Sequence, residues 1–148
     1  MSVTAKDNED VARQTRSFYI QANMLIRKFS RCTYAVKVQL FNSYCSAMYC
    51  AHLWTHVSKQ MLNKVRVSYN NAFRKFLGYP RDCSASGMFV SNRVNTFDSL
   101  WRQQIYKFCL RVENSQNSLI RTIIQSDLYM SSPIRTHWRD ILYVNLIQ

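Results

Sequence analysis

The chain has 148 residues, a formal net charge of +12, 47% hydrophobic and 14% aromatic residues, and only two glycines and two prolines. That composition supplies one domain-sized core and excludes a disordered basic tail; the scarcity of turn formers disfavours hairpins. It predicts an all-α protein, a helical bundle of about four main helices plus short ones, with no internal repeat, low-complexity tract or convincing strand.

Asp7, Asn8, Glu9 and Asp10 read as a helix start, with an Asx cap and acids in the first turn. The helix is expected to run to about residue 31. At ~100° per residue, Val11, Phe18, Ala22, Leu25 and Phe29 fall within about 60° of one another. Arg13, Arg16, Arg27 and Arg31 cluster opposite them, and Lys28 flanks that row. Residues 11–81 hold 12 Lys and Arg and no acid. A face of one sign, unlike the mixed charge of an ordinary solvated surface, points to a polyanion, nucleic acid first.

Thr33 is placed to cap a second helix over about 34–54. Leu40, Phe41, Tyr44, Cys45, Met48, Tyr49, Leu53 and Trp54 make it apolar on most sides, which predicts the central buried helix. Residues 38–58 lack charged side chains, but Gln39, Asn42, Ser43, Ser46, His52 and His56 fit a core helix better than a membrane span. After a break near 55–57, Ser58 caps a third helix, about 59–77, with Met61, Val65, Tyr69, Ala72 and Phe76 in period. Gly78 suits a left-handed stop and Pro80 forbids continuation. Lys59, Arg66, Arg74, Lys75 and Arg81 add a second basic set. Ser84 is expected to cap a short helix through Val90, and Thr96 to open a fourth long one with Asp98 in its first turn. Residues 114–118 form a polar connector, 119–125 a short helix, and Ser131-Ser132-Pro133 starts a last helix that runs to Gln148. The expected division is 1–113, a basic helical domain, and 114–148, a connector with terminal helices.

Catalytic chemistry finds little support. Beyond residue 10 the acids are Asp82, Asp98, Glu113, Asp127 and Asp140, scattered singly, so two-metal phosphoryl transfer lacks its clustered carboxylates. Two glycines cannot build a phosphate loop, and no nucleophile–base pair stands out. His52 and His56 are four apart, but Leu53-Trp54-Thr55 between them lacks the glutamate of a zinc-protease helix, and Cys45 is too distant to join them. No cofactor or metal is expected. The five cysteines, an odd number without a secretory leader, read as reduced and mostly buried thiols of an intracellular protein, nuclear or cytoplasmic. Most aromatics sit at core spacing; Tyr19, Tyr34 and Tyr79 are the expected exposed ones, available for stacking on bases.

Two runs carry a family likeness. Ser17–Trp54 contains QANML followed by RKF at 21–29, Val36-Lys37 and Leu40-Phe41 ahead of Tyr44-Cys45, then Tyr49 and Leu53-Trp54. Asn70–Phe108 contains Ser84-Ala85-Ser86, Met88-Phe89-Val90 and Asn95-Thr96-Phe97. Both resemble the segment after the palm in reverse transcriptases of non-LTR (LINE-type) retrotransposons, over most of residues 9–113. The resemblance implies a helical thumb and linker that grip a template–primer duplex of RNA or DNA through its backbone. Fingers, palm, the palm's paired aspartates and the endonuclease have no counterpart here. The expected role is therefore a non-catalytic fragment, binding nucleic acid without sequence specificity; the alternative is a transposon remnant or interaction module with no nucleic-acid role. The surface that would face a palm is a candidate for self-association.

Overall fold

The structure, a computed structural model, describes residues 3–46, 51–54 and 56–143. Over these residues it is all-α: α1 (Val3–Lys28), α2 (Tyr34–Cys45), a 3-10 turn (Ala51–Leu53), α3 (Lys59–Leu77), α4 (Ala85–Ser91), α5 (Phe97–Glu113), α6 (Ser118–Ile124), α7 (Asp127–Met130) and α8 (Pro133–Tyr143). The chain forms two compact units, 1–49 with 56–100 and 50–55 with 101–148. The units thus part at residues 100 and 101, inside α5, and not at the 113/114 connector.

The punctuation around α3 works as the residue types dictate. Ser58 accepts the Met61 N–H at 3.2 Å, and Gly78 closes the helix at φ 80°, its N–H returning to the Arg74 carbonyl. Ser84 caps α4 through Gly87 N–H, Thr96 Oγ1 receives the Ser99 N–H at 3.2 Å, and Ser132 receives that of Arg135 at 3.3 Å. Asn117 caps α6, and Ser126 caps α7, a short helix the sequence does not announce.

Two expected elements are corrected. The first helix does not start at Asp7: α1 begins at Val3, so Asp7, Glu9 and Asp10 lie inside it and its first turn carries no acid. No Gly or Pro upstream halts the helix, and Asp7 serves elsewhere, its Oδ2 accepting the His56 N–H at 3.1 Å. The second helix does not reach 54. It ends at Cys45, where Ser46 Oγ donates back to the Asn42 carbonyl, and 51–53 form a 3-10 turn. Met48, Tyr49 and Cys50 lie outside the described residues. Nor is α2 the central buried helix: it buries Phe41 and Cys45 while Val36 and Tyr44 are exposed. That place belongs to α3, which buries Val65, Ser68, Tyr69, Ala72, Phe73 and Phe76.

In the first unit, Val11, Ala22 and Leu25 of α1 are buried, and Phe18 packs on Tyr69. Phe41 meets Tyr69 and Phe73 edge-on at 5.2 and 4.8 Å, and Phe89 stacks on the same rings at 5.5 and 4.7 Å. Tyr69 donates its hydroxyl to the Asn95 carbonyl at 3.0 Å, and burial raises its pKa.

Six residue pairs fix the helix directions. Asp7 meets His56 and Tyr19 donates to Ser68 at 2.6 Å, a constant offset of 49 residues, so α1 and α3 run parallel. Tyr34 bonds to Tyr79, Lys37 lies over Phe76 at 5.8 Å and Phe41 packs on Tyr69 and Phe73, so α2 returns antiparallel. The C-terminal ends of α1 and α3 and the start of α2 therefore share one end of this unit.

The second unit holds all three tryptophans. Trp101 and Trp138 donate their indole N–H groups to the Ala51 and His52 carbonyls at 3.0 and 2.9 Å, tying the 51–54 segment to α5 and α8. His52 stacks on Phe108 at 4.0 Å, and Phe108 meets Trp138 edge-on.

Candidate nucleic-acid interface

The ten cations singled out from the sequence fall into four groups. Arg13 and Arg16 lie in the middle of α1. Because that helix begins at Val3, Glu9 and Asp10 share its surface with them: the four line one shallow depression, and Arg13 is ion-paired with Asp10. The N-terminal part of the basic row is thus mixed in sign, which corrects the expectation of an acid-free face there. Arg16 keeps its charge exposed, with only a long bond to the Ala12 carbonyl.

Arg66 is also neutralised. Its Nε and Nη2 donate to both oxygens of Asp98 at 2.9 and 2.7 Å, a fork on a carboxylate, and a third donor reaches Asn63. The bond to Asp98 raises the Arg66 pKa. Arg66 thus links α3 to the first turn of α5, its charge balanced by Asp98. Lys59 is exposed at the start of α3, about 22 Å from Arg74 at 1.5 Å per residue, so those two belong to different ends.

The remaining six gather at the end where α1 and α3 finish. Arg27 and Lys28 occupy the last turn of α1 and Arg31 the turn after it; all three are exposed and make no ion pair with a described residue. At the same level Arg74 and Lys75 occupy the last turn of α3, and Arg81 follows in the loop. Cations in a last helical turn also gain about 0.3–1 kcal/mol from the negative end of the helix dipole. That gain accounts for Arg27, Lys28, Arg74 and Lys75, and leaves Arg31 and Arg81 to be explained otherwise.

Arg74, Lys75 and Arg81 line one cleft of about 690 Å³ with Asn71 and Tyr79. Arg74 is held by neutral groups alone: it donates to Asn71 Oδ1 at 2.8 Å and to the Cys83 carbonyl at 3.1 Å, while its Nε is buried without a hydrogen-bond partner. Its charge is fixed in direction and not cancelled. Tyr79 is fixed by its hydroxyl, which bonds to Tyr34 and accepts from Asn92 at 2.9 Å. The sequence places Tyr19, Tyr34 and Tyr79 at the surface; Tyr19 and Tyr34 are 43% and 47% exposed, whereas Tyr79 is half-buried because its hydroxyl is held by Tyr34 and Asn92. Lys37, not singled out earlier, joins this end with its ammonium over Phe76. A cation on the fourth residue of a helix packed against α3 is the signal that identifies it.

Among the described residues no group of three or more His, Cys, Asp and Glu is placed to hold a metal ion. His52 lies in the 3-10 turn and His56 beyond it, not on one helix face. Burial pushes the Cys45 thiol up to about 12, and burial followed by Glu113 raises Cys109, so neither is an activated nucleophile. Cys32, Cys45, Cys83 and Cys109 are free thiols, but only Cys45 is fully buried, which corrects the expectation that most are. Among the described residues no helix is long and apolar enough to cross a membrane. No protein-family model matches the chain, and no curated protein or solved structure matches it either.

Proposed function

We propose that the first unit is a nucleic-acid backbone grip, non-catalytic and indifferent to sequence, of the kind implied by the resemblance of residues 9–113 to the thumb of non-LTR retrotransposon reverse transcriptases. The observation that carries the reading is the acid-poor end formed by Arg27, Lys28, Arg31, Arg74, Lys75 and Arg81. Exposed Lys and Arg on a rigid helical frame neutralise phosphates and release counterions without touching base edges. The test is fluorescence anisotropy with a random-sequence duplex at 50 and 200 mM salt. For four to six phosphate contacts, affinity falls by roughly 10² to 10³ between those concentrations. A response flat in salt overturns the reading.

A second reading, an interaction module, is supported by the apolar side chains of the second unit that face solvent: Leu119, Ile123, Leu128 and Met130. Sedimentation of the chain over a range of concentrations tests it; a monomer throughout removes self-association.

A further inference from the structure

The cleft at the end of α3 differs from the row on α1 in shape and in its supports. A row of exposed cations suits the single charges spaced along a phosphodiester strand. Here three cations, Arg74, Lys75 and Arg81, line one concavity, and no carboxylate is among its lining residues although Asp82 is next in sequence. Three positive charges around one opening match a phosphate monoester, which carries close to two negative charges, better than a diester with one. The volume of about 690 Å³ exceeds a lone phosphate and fits a nucleotide. Asn71 and Tyr79 supply what the rest of a nucleotide needs, an amide for polar edges and a ring for a base.

The cleft is also built in advance. Arg74 is pinned by Asn71 and the Cys83 carbonyl, and Tyr79 by Tyr34 and Asn92. Groups already locked lose little entropy on binding. Gly78 makes the bend possible: its φ of 80° reverses the chain directly after Lys75-Phe76-Leu77 and brings Tyr79 and Arg81 back beside Arg74.

We propose that this cleft is a strand-end site: it receives the terminal phosphate monoester of a nucleic-acid strand, with the terminal base against Tyr79. The proposal rests on the backbone-grip reading and adds a preference to it. A phosphomonoester lipid headgroup offers the same charge, but the lining holds no aliphatic side chain to meet acyl chains.

The experiment compares the full chain bound to blunt duplexes that differ only in bearing 5′-phosphate, 3′-phosphate or hydroxyl ends. A phosphorylated end binds about tenfold tighter than the hydroxyl end, the scale of one or two added charge-assisted bonds. Both Arg81→Gln, in an exposed loop position that leaves the core intact, and Arg74→Gln weaken the hydroxyl-ended duplex by one lost backbone contact, so the preference is read as the ratio of phosphorylated-end to hydroxyl-end affinity: Arg81→Gln removes most of it and Arg74→Gln all of it. Equal affinity for all three ends overturns the strand-end site and leaves the grip standing. Failure to bind any of them overturns both. A parallel arm uses vesicles of phosphatidic acid in phosphatidylcholine. Arg81-dependent flotation on these, without an end preference on duplexes, assigns the cleft to lipid and overturns the proposal.

Discussion

Two stretches of the first unit, the middle of α1 and the end where α1 and α3 finish, carry the same residue types and differ in what surrounds them. Along the middle of α1, Arg13 and Arg16 share a surface with Glu9 and Asp10. At the other, Arg27, Lys28, Arg31, Arg74, Lys75 and Arg81 gather without an acid among the cleft residues. Six of the unit's cations therefore act together because α1 and α3 run parallel, which sets both C-termini at one level. Net charge alone says nothing about this. Helix direction turns a basic sequence into a unit with its cations gathered at one end.

The comparison depends on the aromatic cluster that holds the three helices in register. Phe73 is fully buried, between Phe41 and Phe89. Phe73→Ala costs about 3–5 kcal/mol, the largest effect expected, and chemical denaturation followed by far-ultraviolet circular dichroism reads it. Next in size is the bend that positions the cleft. An added Cβ at Gly78 meets nothing within 4 Å, so the strain of Gly78→Ala comes from φ alone, about 1–2 kcal/mol, again read by denaturation. A smaller effect separates the two units by pH. Burial, and then the nearby Arg111, lower the pKa of His52 below its ordinary 6.5, and Nδ1 has no hydrogen-bond partner. The unfolded chain then binds the proton more readily, so stability holds above pH 6.5 and declines as the pH falls below it. Because every tryptophan lies in the second unit, tryptophan fluorescence during unfolding at pH 7.5 and 5.5 isolates this decline. Unchanged midpoints at the two pH values refute it. The smallest effect is local: iodoacetamide at pH 8 modifies Cys32 and Cys83 well before Cys45, whose thiol is buried and held up near 12, and peptide mass mapping counts the adducts.

Legibility in the sequence followed the local physics. The limits of α3 were readable because Ser58, Gly78 and Pro80 act within a few residues of the helix ends. The start of α1 was misleading because Asp7, Asn8 and Asp10 look like a cap, while Asp7 bonds to a backbone group 49 residues away. Arg66 resembled its neighbours on α3 until Asp98, 32 residues on, formed a fork with it. The burial of α2 was overestimated because apolar residues such as Tyr44 and Val36 can face water, and periodicity cannot say which side a neighbour covers. The gathering of six cations needed helix direction, which no single helix encodes.

On the proposed reading, the end that bears Arg27 and Arg31 grips the phosphate backbone, and the acid-bearing stretch around Arg13 and Arg16 does not. The most direct test of that reading is the duplex affinity of two charge-reversal pairs, Arg27→Glu with Arg31→Glu and Arg13→Glu with Arg16→Glu, each measured across a salt series. The first pair is expected to weaken binding by about 10- to 100-fold and to lower the salt slope by roughly two, whereas the second costs less than about threefold. Equal losses from both pairs, or a larger loss from the Arg13 and Arg16 pair, would contradict it.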